Sequence, residues 1–397
     1  MLRQLWGSRM NDRVNTSTGD RGSLPGLREA MRIAAAAASD VDRSARFPRE
    51  AVDALKEAHF FSCSLPTGVG GGSYRIAQLA EVARGMGSAC SSAGMVFAMH
   101  HTQALTLARH GLEGPIADLT ASIAANESLL ASATTEITTG GDIGSSSCAV
   151  HTDGEDVTLE KNAPVISYAE YADYIFATAR RSPESATSDQ VLLVCPAGST
   201  SLERTSTWDV LGFRGTCSPG YLLSAKATRA HLLPVDYATI LAGTMQPASH
   251  TLWASVWLGL ADAAVAKART AVRQAVRKAE GKPLPQAAKL AELTVAHQNF
   301  ESAVTAGVNR YEAFVDSGES EPTIGFTIAM NNLKLIASTA VIEVVAGALA
   351  LIGINGYRED HPLSMGRLLR DSYGPQLMVS NDRIRQNNSQ LVLAYRG

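Results

Sequence analysis

The sequence predicts an α+β chain in three segregated parts: a helical first part, a small β middle and a helical bundle at the end. Three observations carry this. Apolar residues recur at helical spacing between Leu27 and Asn126. From Leu129 to about Val235 the chain is rich in Ser, Thr and Gly and holds short β-prone runs. From Tyr237 onward long helical patterns return. Helices and strands that come in separate runs, rather than alternating, point away from a parallel α/β sheet.

Residues 1–25 read as a disordered leader, because they carry positive charges without the apolar run of a signal peptide. The first helical part, 26–128, opens with an Ala-rich helix over Leu27–Asp42. A second helix starts at Phe47-Pro48-Arg49-Glu50, since Pro tolerates the first helical position and an acid suits the positive end of the helix dipole. It runs to about Phe60. The glycines of Leu65–Ser73 form a loop, and further helices follow near Ile76–Met86, Ser91–His110 and Pro115–Asn126. The middle part, 129–235, offers strands at Leu130–Thr135, Asp156–Glu160, Val165–Tyr168, Ile175–Ala179, Val191–Cys195 and Tyr221–Ala227. Short strands set between turn residues suggest an antiparallel barrel or sandwich. The last part, 236–397, holds helices over Ala248–Glu280, Leu284–Asp316 and Thr323–Ile352, and a final stretch from near Ser364. Long consecutive helices pack as an up-down bundle.

Composition narrows the function. The 397 residues suit two or three domains at roughly 100–200 residues each. The formal net charge of −3 excludes a strongly basic nucleic-acid binder, which needs surplus Lys and Arg on one face. The five cysteines are odd in number and form no C-x-x-C pair, so neither a disulfide framework nor a zinc site is indicated, and a reducing compartment fits best. The oily stretch Ala337–Ile354 contains Glu343 and Ser338 and reads as a buried helix rather than a membrane span. No Rossmann, Walker, H-E-x-x-H or G-x-S-x-G motif is present, and no metal site is expected.

Three stretches combine hydroxyls, glycines and β context: Ala133–Asp142, Val165–Tyr168 with Ala172-Asp173, and Trp208–Thr216. Glycine-exposed N–H groups and threonine hydroxyls suit a polar planar or anionic ligand at a sheet edge. Taken in order along the chain, these stretches resemble the acyl-CoA dehydrogenase superfamily. Leu65-Pro66 with its glycine loop is similar to the family's L-P-x-x-x-G-G turn. Thr135-Glu136 with Gly140-Gly141-Asp142 is similar to T-E-P-x-x-G-S-D, and Val165-Ile166-Ser167 to W-I-T. Arg277, four residues before Gly281, is similar to R-x-x-F-G, and Gly353–Tyr357 followed by Arg370-Asp371 to G-G-x-G-Y…R-D.

The resemblance implies a helical domain, a central β-barrel and a four-helix bundle, assembled as a homotetramer around FAD and resident in the cytoplasm. By resemblance Thr134 and Thr135 would bond the pyrimidine edge of the flavin, and Ile166-Ser167 would approach its N5. Gly140 and Gly141 would let backbone N–H groups come close. Arg277 of a neighbouring subunit would meet the adenine or pyrophosphate region, and Gly353, Asn381 and Arg383 the AMP half.

The chain also departs from the pattern. The family's catalytic glutamate, eight residues after the R-D aspartate, falls on Val379, and the alternative position, thirty residues before the R-x-x-F-G glycine, falls on Thr251. Both are expected in the substrate pocket, and neither is a carboxylate. His250, His101, His100 and Tyr168 are the candidate replacements for the base, because an imidazole titrates near neutral pH. Two reactions stay open. One is α,β-dehydrogenation of an unusual acyl thioester, CoA-linked or carrier-bound, with an electron-transfer flavoprotein as acceptor. The other is oxygenation through a flavin peroxide, with a separate reductase and O2. A non-catalytic flavoprotein is the third reading. No nucleic-acid or membrane partner is expected.

Overall fold

The structure, a computed structural model, describes residues 24–138, 142–279 and 285–396. Most of the expected leader, and Gly140, Gly141 and Gly281, lie outside the described residues.

The first part is helical: α1 Leu27–Arg43, α2 Arg49–Glu57, α3 Ile76–Ala89, α4 Ser91–His110 and α5 Ile116–Ala125. Helix α1 is amphipathic and buries Leu27, Ala30, Ala34, Ala38 and Val41, one per turn of the 3.6-residue repeat. Helix α4 is buried nearly all round, and the polar residues it buries, such as His100, His101 and Gln103, are hydrogen-bonded to neighbouring elements.

Among the described residues the middle part has seven strands: β1 Leu130–Ala133, β2 Val150–Asp153, β3 Asp156–Ala163, β4 Tyr174–Arg180, β5 Gln190–Pro196, β6 Thr200–Arg204 and β7 Tyr221–Thr228. They form two sheets, ordered β1-β4-β5 and β2-β3-β7-β6. Two corrections follow. The arrangement is not all antiparallel, since β1 pairs with β4 in parallel, Leu130 against Tyr174. Val165–Tyr168 is a loop rather than a strand. Tyr168 turns into the left-handed region at φ 43°, and its N–H reaches the carbonyls of Thr216 and Cys217. Strands β2 and β6 had no counterpart in the sequence reading.

The last part comprises α6 Tyr237–Ile240, a π-turn over Leu241–Met245, then α7 Gln246–Lys278, α8 Pro285–Asp316, α9 Ile324–Ile352, α10 Ile354–Tyr357, α11 Gly366–Leu377 and α12 Asn381–Ala394. Pro247 follows directly on the π-turn, as the second residue of α7. Thr323 caps α9, its hydroxyl accepting from the Phe326 N–H at 3.2 Å. By length and composition α9 could cross a membrane, with mean hydropathy 2.3 over its most apolar window. It packs instead on α7, α8, α11 and α12, burying Met330, Leu333, Ala337, Val341, Val344 and Ala348.

The three parts are locked together by polar contacts. Arg84 of α3 bonds Asp262 of α7 at 2.6 and 3.0 Å and Glu301 of α8 at 2.7 Å, and His297 of α8 meets the same Asp262 at 2.6 Å. Arg370 of α11 grips Asp42 of α1 through two bonds of 2.9 and 2.6 Å. The buried Asp371 accepts from the Phe213 N–H at 2.6 Å, which fastens the Trp208–Thr216 stretch to α11.

Candidate active site

Helix α4 stands between β1 on one side and α7 on the other. Gln103 on α4 donates to the Ser132 hydroxyl of β1 at 2.7 Å, and its own carbonyl oxygen is buried without a partner. A buried acceptor left open in this way is costly unless something else satisfies it. Beyond β1, Thr134 and Thr135 are partly exposed and Ile137 is 56% exposed. Ser167 lies on the neighbouring loop, beside the exposed Val165 and the buried Ile166. Its hydroxyl accepts from Ser218 at 2.9 Å, which leaves its own proton available to a ligand. The β edge thus presents hydroxyls interleaved with apolar side chains.

Glu136 holds that edge in place. It forms a buried ion pair with Lys161 of β3 at 2.8 Å, and also accepts from the hydroxyls of Ser146 and Ser147 and from the Ser147 N–H at 2.8 Å. Burial opposes ionisation of the carboxyl, but the Lys161 ammonium and the serine hydroxyls outweigh it, so the pKa ends well below the usual carboxylate range. Lys161 also donates to the Thr178 carbonyl at 2.7 Å, which ties the loop to β4. The sequence reading missed this pair. The available signal was a lysine at an inward position of β3, in the alternation Val157, Leu159, Lys161, Ala163.

Three of the candidate bases are engaged in hydrogen bonds within the fold. His100 is fully buried; its Nε2 donates to the Phe61 carbonyl at 2.8 Å and its Nδ1 accepts from the Leu130 N–H at 3.1 Å. His101 is equally buried, with Nε2 on the Phe60 carbonyl at 2.8 Å and Nδ1 on the Ser64 hydroxyl at 2.9 Å. Both rings are neutral pins between α4 and the segment after α2. Burial holds His101 down at about 3, and burial together with His101 pushes His100 well below the ordinary histidine value. The Tyr168 hydroxyl is spent on the Leu130 carbonyl at 2.9 Å, and burial drives its pKa well above that of a free phenol. None of the three has a nitrogen or oxygen left for a substrate proton.

His250 differs. Its Nδ1 faces the Met330 carbonyl at 3.2 Å, and Nε2 has no hydrogen-bond partner among the described residues. Burial, and then the nearby Lys334 charge, push its pKa down to about 3, so at neutral pH it is a poor proton acceptor. Thr251 is buried against Met330, while Val379 is 40% exposed on the turn between α11 and α12. The structure turns Asn381 inward: its side chain is buried, bonded to Ser338 at 3.0 Å and to Lys334 at 2.7 Å, and so faces the bundle rather than an outside ligand. Arg277, Gly353 and Arg383 are exposed on helix ends. Gly353 takes φ 70° in the turn after α9.

Comparison with known proteins agrees with this architecture. Two family models match: the acyl-CoA dehydrogenase N-terminal domain over residues 27–127 and the acyl-CoA dehydrogenase C-terminal domain over 248–378. A curated relative, the probable acyl-CoA dehydrogenase fadE25 of Mycobacterium leprae (strain TN), is 25% identical over 364 residues, covering 88% of each chain. FMN-bound TdsC from Paenibacillus sp. A11-2, a dibenzothiophene monooxygenase, superposes with a TM-score of 0.82 at 16% identity, over 94% of this chain and 97% of that one. The nitrososynthase of Micromonospora carbonacea var. africana gives 0.77 at 21% identity, over 94% and 96%. With both helical domain models matched in order around a central β region, the chain belongs to the acyl-CoA dehydrogenase superfamily.

Proposed function

We propose that this chain is a flavin-dependent oxidoreductase of the oxygenase type, working with flavin reduced by a separate reductase. The observation that carries this is that neither position at which the resemblance expects the base holds a carboxylate. Neither Val379 nor Thr251 carries a carboxylate, and the nearby imidazole of His250 is held neutral and weakly basic. Dehydrogenation next to a thioester needs a positioned base, and losing one costs roughly 10²–10⁴-fold in rate. Oxygenation places no such demand at those two positions. The fold-level neighbours include a dibenzothiophene monooxygenase, which supports the reading by analogy of scaffold.

The β edge fits a flavin. Thr134, Thr135 and Ser167 offer hydroxyls to a planar ring, the exposed Val165 and Ile137 offer it apolar surface, and the open Gln103 carbonyl lies behind β1. Bound there, the flavin would supply the electron transfer and oxygen activation that no side chain can. The protein's share is to orient the ring, exclude water and keep His250 neutral. The resemblance favours FAD over FMN, and the two differ only beyond the phosphate nearest the ring. Arg277, Gly353 and Arg383 would serve the AMP half of FAD, whereas Asn381 is committed inside the bundle. Chromatography of the flavin released on denaturation decides between the two.

The second reading, dehydrogenation of an unusual acyl thioester, is favoured by the curated relative named as a probable acyl-CoA dehydrogenase. One experiment separates them. The flavin-loaded protein is mixed under argon with acyl thioesters, then reduced by a flavin reductase and exposed to O2 with candidate organic substrates. Substrate-dependent oxygen uptake without prior anaerobic bleaching is expected. Bleaching of the flavin by an acyl thioester alone would give the site to dehydrogenation.

A further inference from the structure

The turn that carries Val379 is held by a buried cation. Lys334 lies on the inner face of α9 and is fully buried. Its ammonium donates to the Val379 carbonyl at 2.6 Å and to the Asn381 side-chain oxygen at 2.7 Å. Asn381 is steadied in turn by Ser338, which donates to the same oxygen at 3.2 Å and accepts from the amide nitrogen at 3.0 Å. Among the described residues no carboxylate pairs with this lysine. The charged or titratable neighbours acting on it are His250 of α7 and Arg385 of α12, neither of them an anion.

An ammonium buried against neutral oxygens alone is expensive to keep. The backbone it holds is also strained, since Val379 is β-branched and sits at φ 50°, in the region that favours glycine. Strain of this kind persists only where neighbouring contacts fix it. Three residues, Met378 to Ser380, separate α11 from α12, so fixing one carbonyl and the next helix's first residue determines the whole turn.

We propose that Lys334 is the positioning residue of this site: it draws the Val379 carbonyl inward, holds the turn in its left-handed form, and so presents the valine side chain where the superfamily presents its glutamate. The significance of that position rests on the function proposed above, but the mechanical claim does not. Lys334 acts through Val379 and Asn381 and does not itself reach the surface.

Hydrogen exchange followed by mass spectrometry on the flavin-free protein tests this independently of any cofactor. In K334M, exchange of the amides of 378–382 is expected to rise at least tenfold while that of α7 and the rest of α9 stays at the wild-type rate. K334R, which keeps the donors and the charge, is expected to restore slow exchange. A folded K334M with unchanged exchange at 378–382 overturns the proposal. So does a uniform rise across the bundle, which would make the lysine a general fold determinant, and so does failure of K334R to protect the turn when K334M loosens it.

Discussion

At the scale of single residues, two buried lysines show how the same charge acts differently with and without a counter-ion. Lys161 is neutralised by Glu136, and removing one partner strands the other. E136Q is therefore expected to cost about 3–5 kcal/mol, measured by denaturant titration, because it leaves an ammonium buried without its anion. Replacing both, as E136L/K161M, is expected to cost less than E136Q alone. The pH dependence follows from the depressed carboxyl. The stability it contributes is complete above the unfolded-state value of about 4.3 and is lost as the pH falls from there toward the folded-state value. The acid-induced fall should be steeper in wild type than in E136Q. Lys334 has the opposite sign. Burial holds it down at about 8 in the folded chain, against about 10.4 unfolded. Between these values the unfolded chain binds more protons, so folding gains as the pH rises. The stability of wild type relative to K334M should climb by about 2–3 kcal/mol from pH 8 to pH 10.4. A flat difference across that window would mean that the lysine is not held in a low-dielectric site.

At the scale of elements, the crossing of α3 and α7 is set by missing side chains. A β-carbon on Gly259 would stand 2.0 Å from the Arg84 carbonyl, and one on Gly87 would stand 2.3 Å from that of Val256. Both obstacles are backbone, so no rotamer change relieves them. G259A is expected to destabilise the fold by at least the 1–3 kcal/mol typical of overpacking, with a lowered thermal midpoint. An unchanged midpoint would show that the helices can separate freely. The long helices were legible in the sequence because their 3.6-residue pattern is local and repeats over many turns. Ser91–His110 was read at both of its ends, and α7 to within two residues at each end. Strands β2 and β6 were not legible, since Val-His-Thr-Asp and Thr-Ser-Leu-Glu-Arg bury little and show no clear alternation. The parallel pairing of β1 with β4 spans some forty residues and leaves no local mark. The site divides in the same way. Thr134, Thr135 and Ser167 could be proposed from sequence because they sit in contiguous motifs. Lys161 and Lys334 were missed because their partners, Glu136 and Val379, lie far away in the chain. Sequence likewise does not show that both ring nitrogens of His100 and His101 meet neighbouring groups, the Phe61 carbonyl and Leu130 N–H for one and the Phe60 carbonyl and Ser64 hydroxyl for the other.

At the scale of the whole molecule, the surface of the helical bundle is where the chain remains unfinished. Leu393 is 84% exposed, Leu377 80%, Tyr357 77% and Ile354 70%, and all four lie on the last two parts of the bundle or the short helix after α9. Scattered exposed apolar residues are ordinary, and whether these four serve an interface is a matter for experiment. The resemblance that places Arg277 at a neighbour's cofactor requires a second copy of this chain, and these residues offer apolar area for it to bury. The homotetramer that the resemblance implies is testable by sedimentation. L377E/L393E should sediment at lower mass with its helical circular dichroism intact, because charges at a buried interface go unpaired while the monomer's own core is untouched. If the flavin is completed across that interface, the dissociated variant should also bind it more weakly, by tenfold or more in a fluorescence titration. A variant that dissociates yet binds flavin as tightly as wild type would place the entire cofactor site within one chain, and Arg277 would then be an ordinary exposed helix-end arginine.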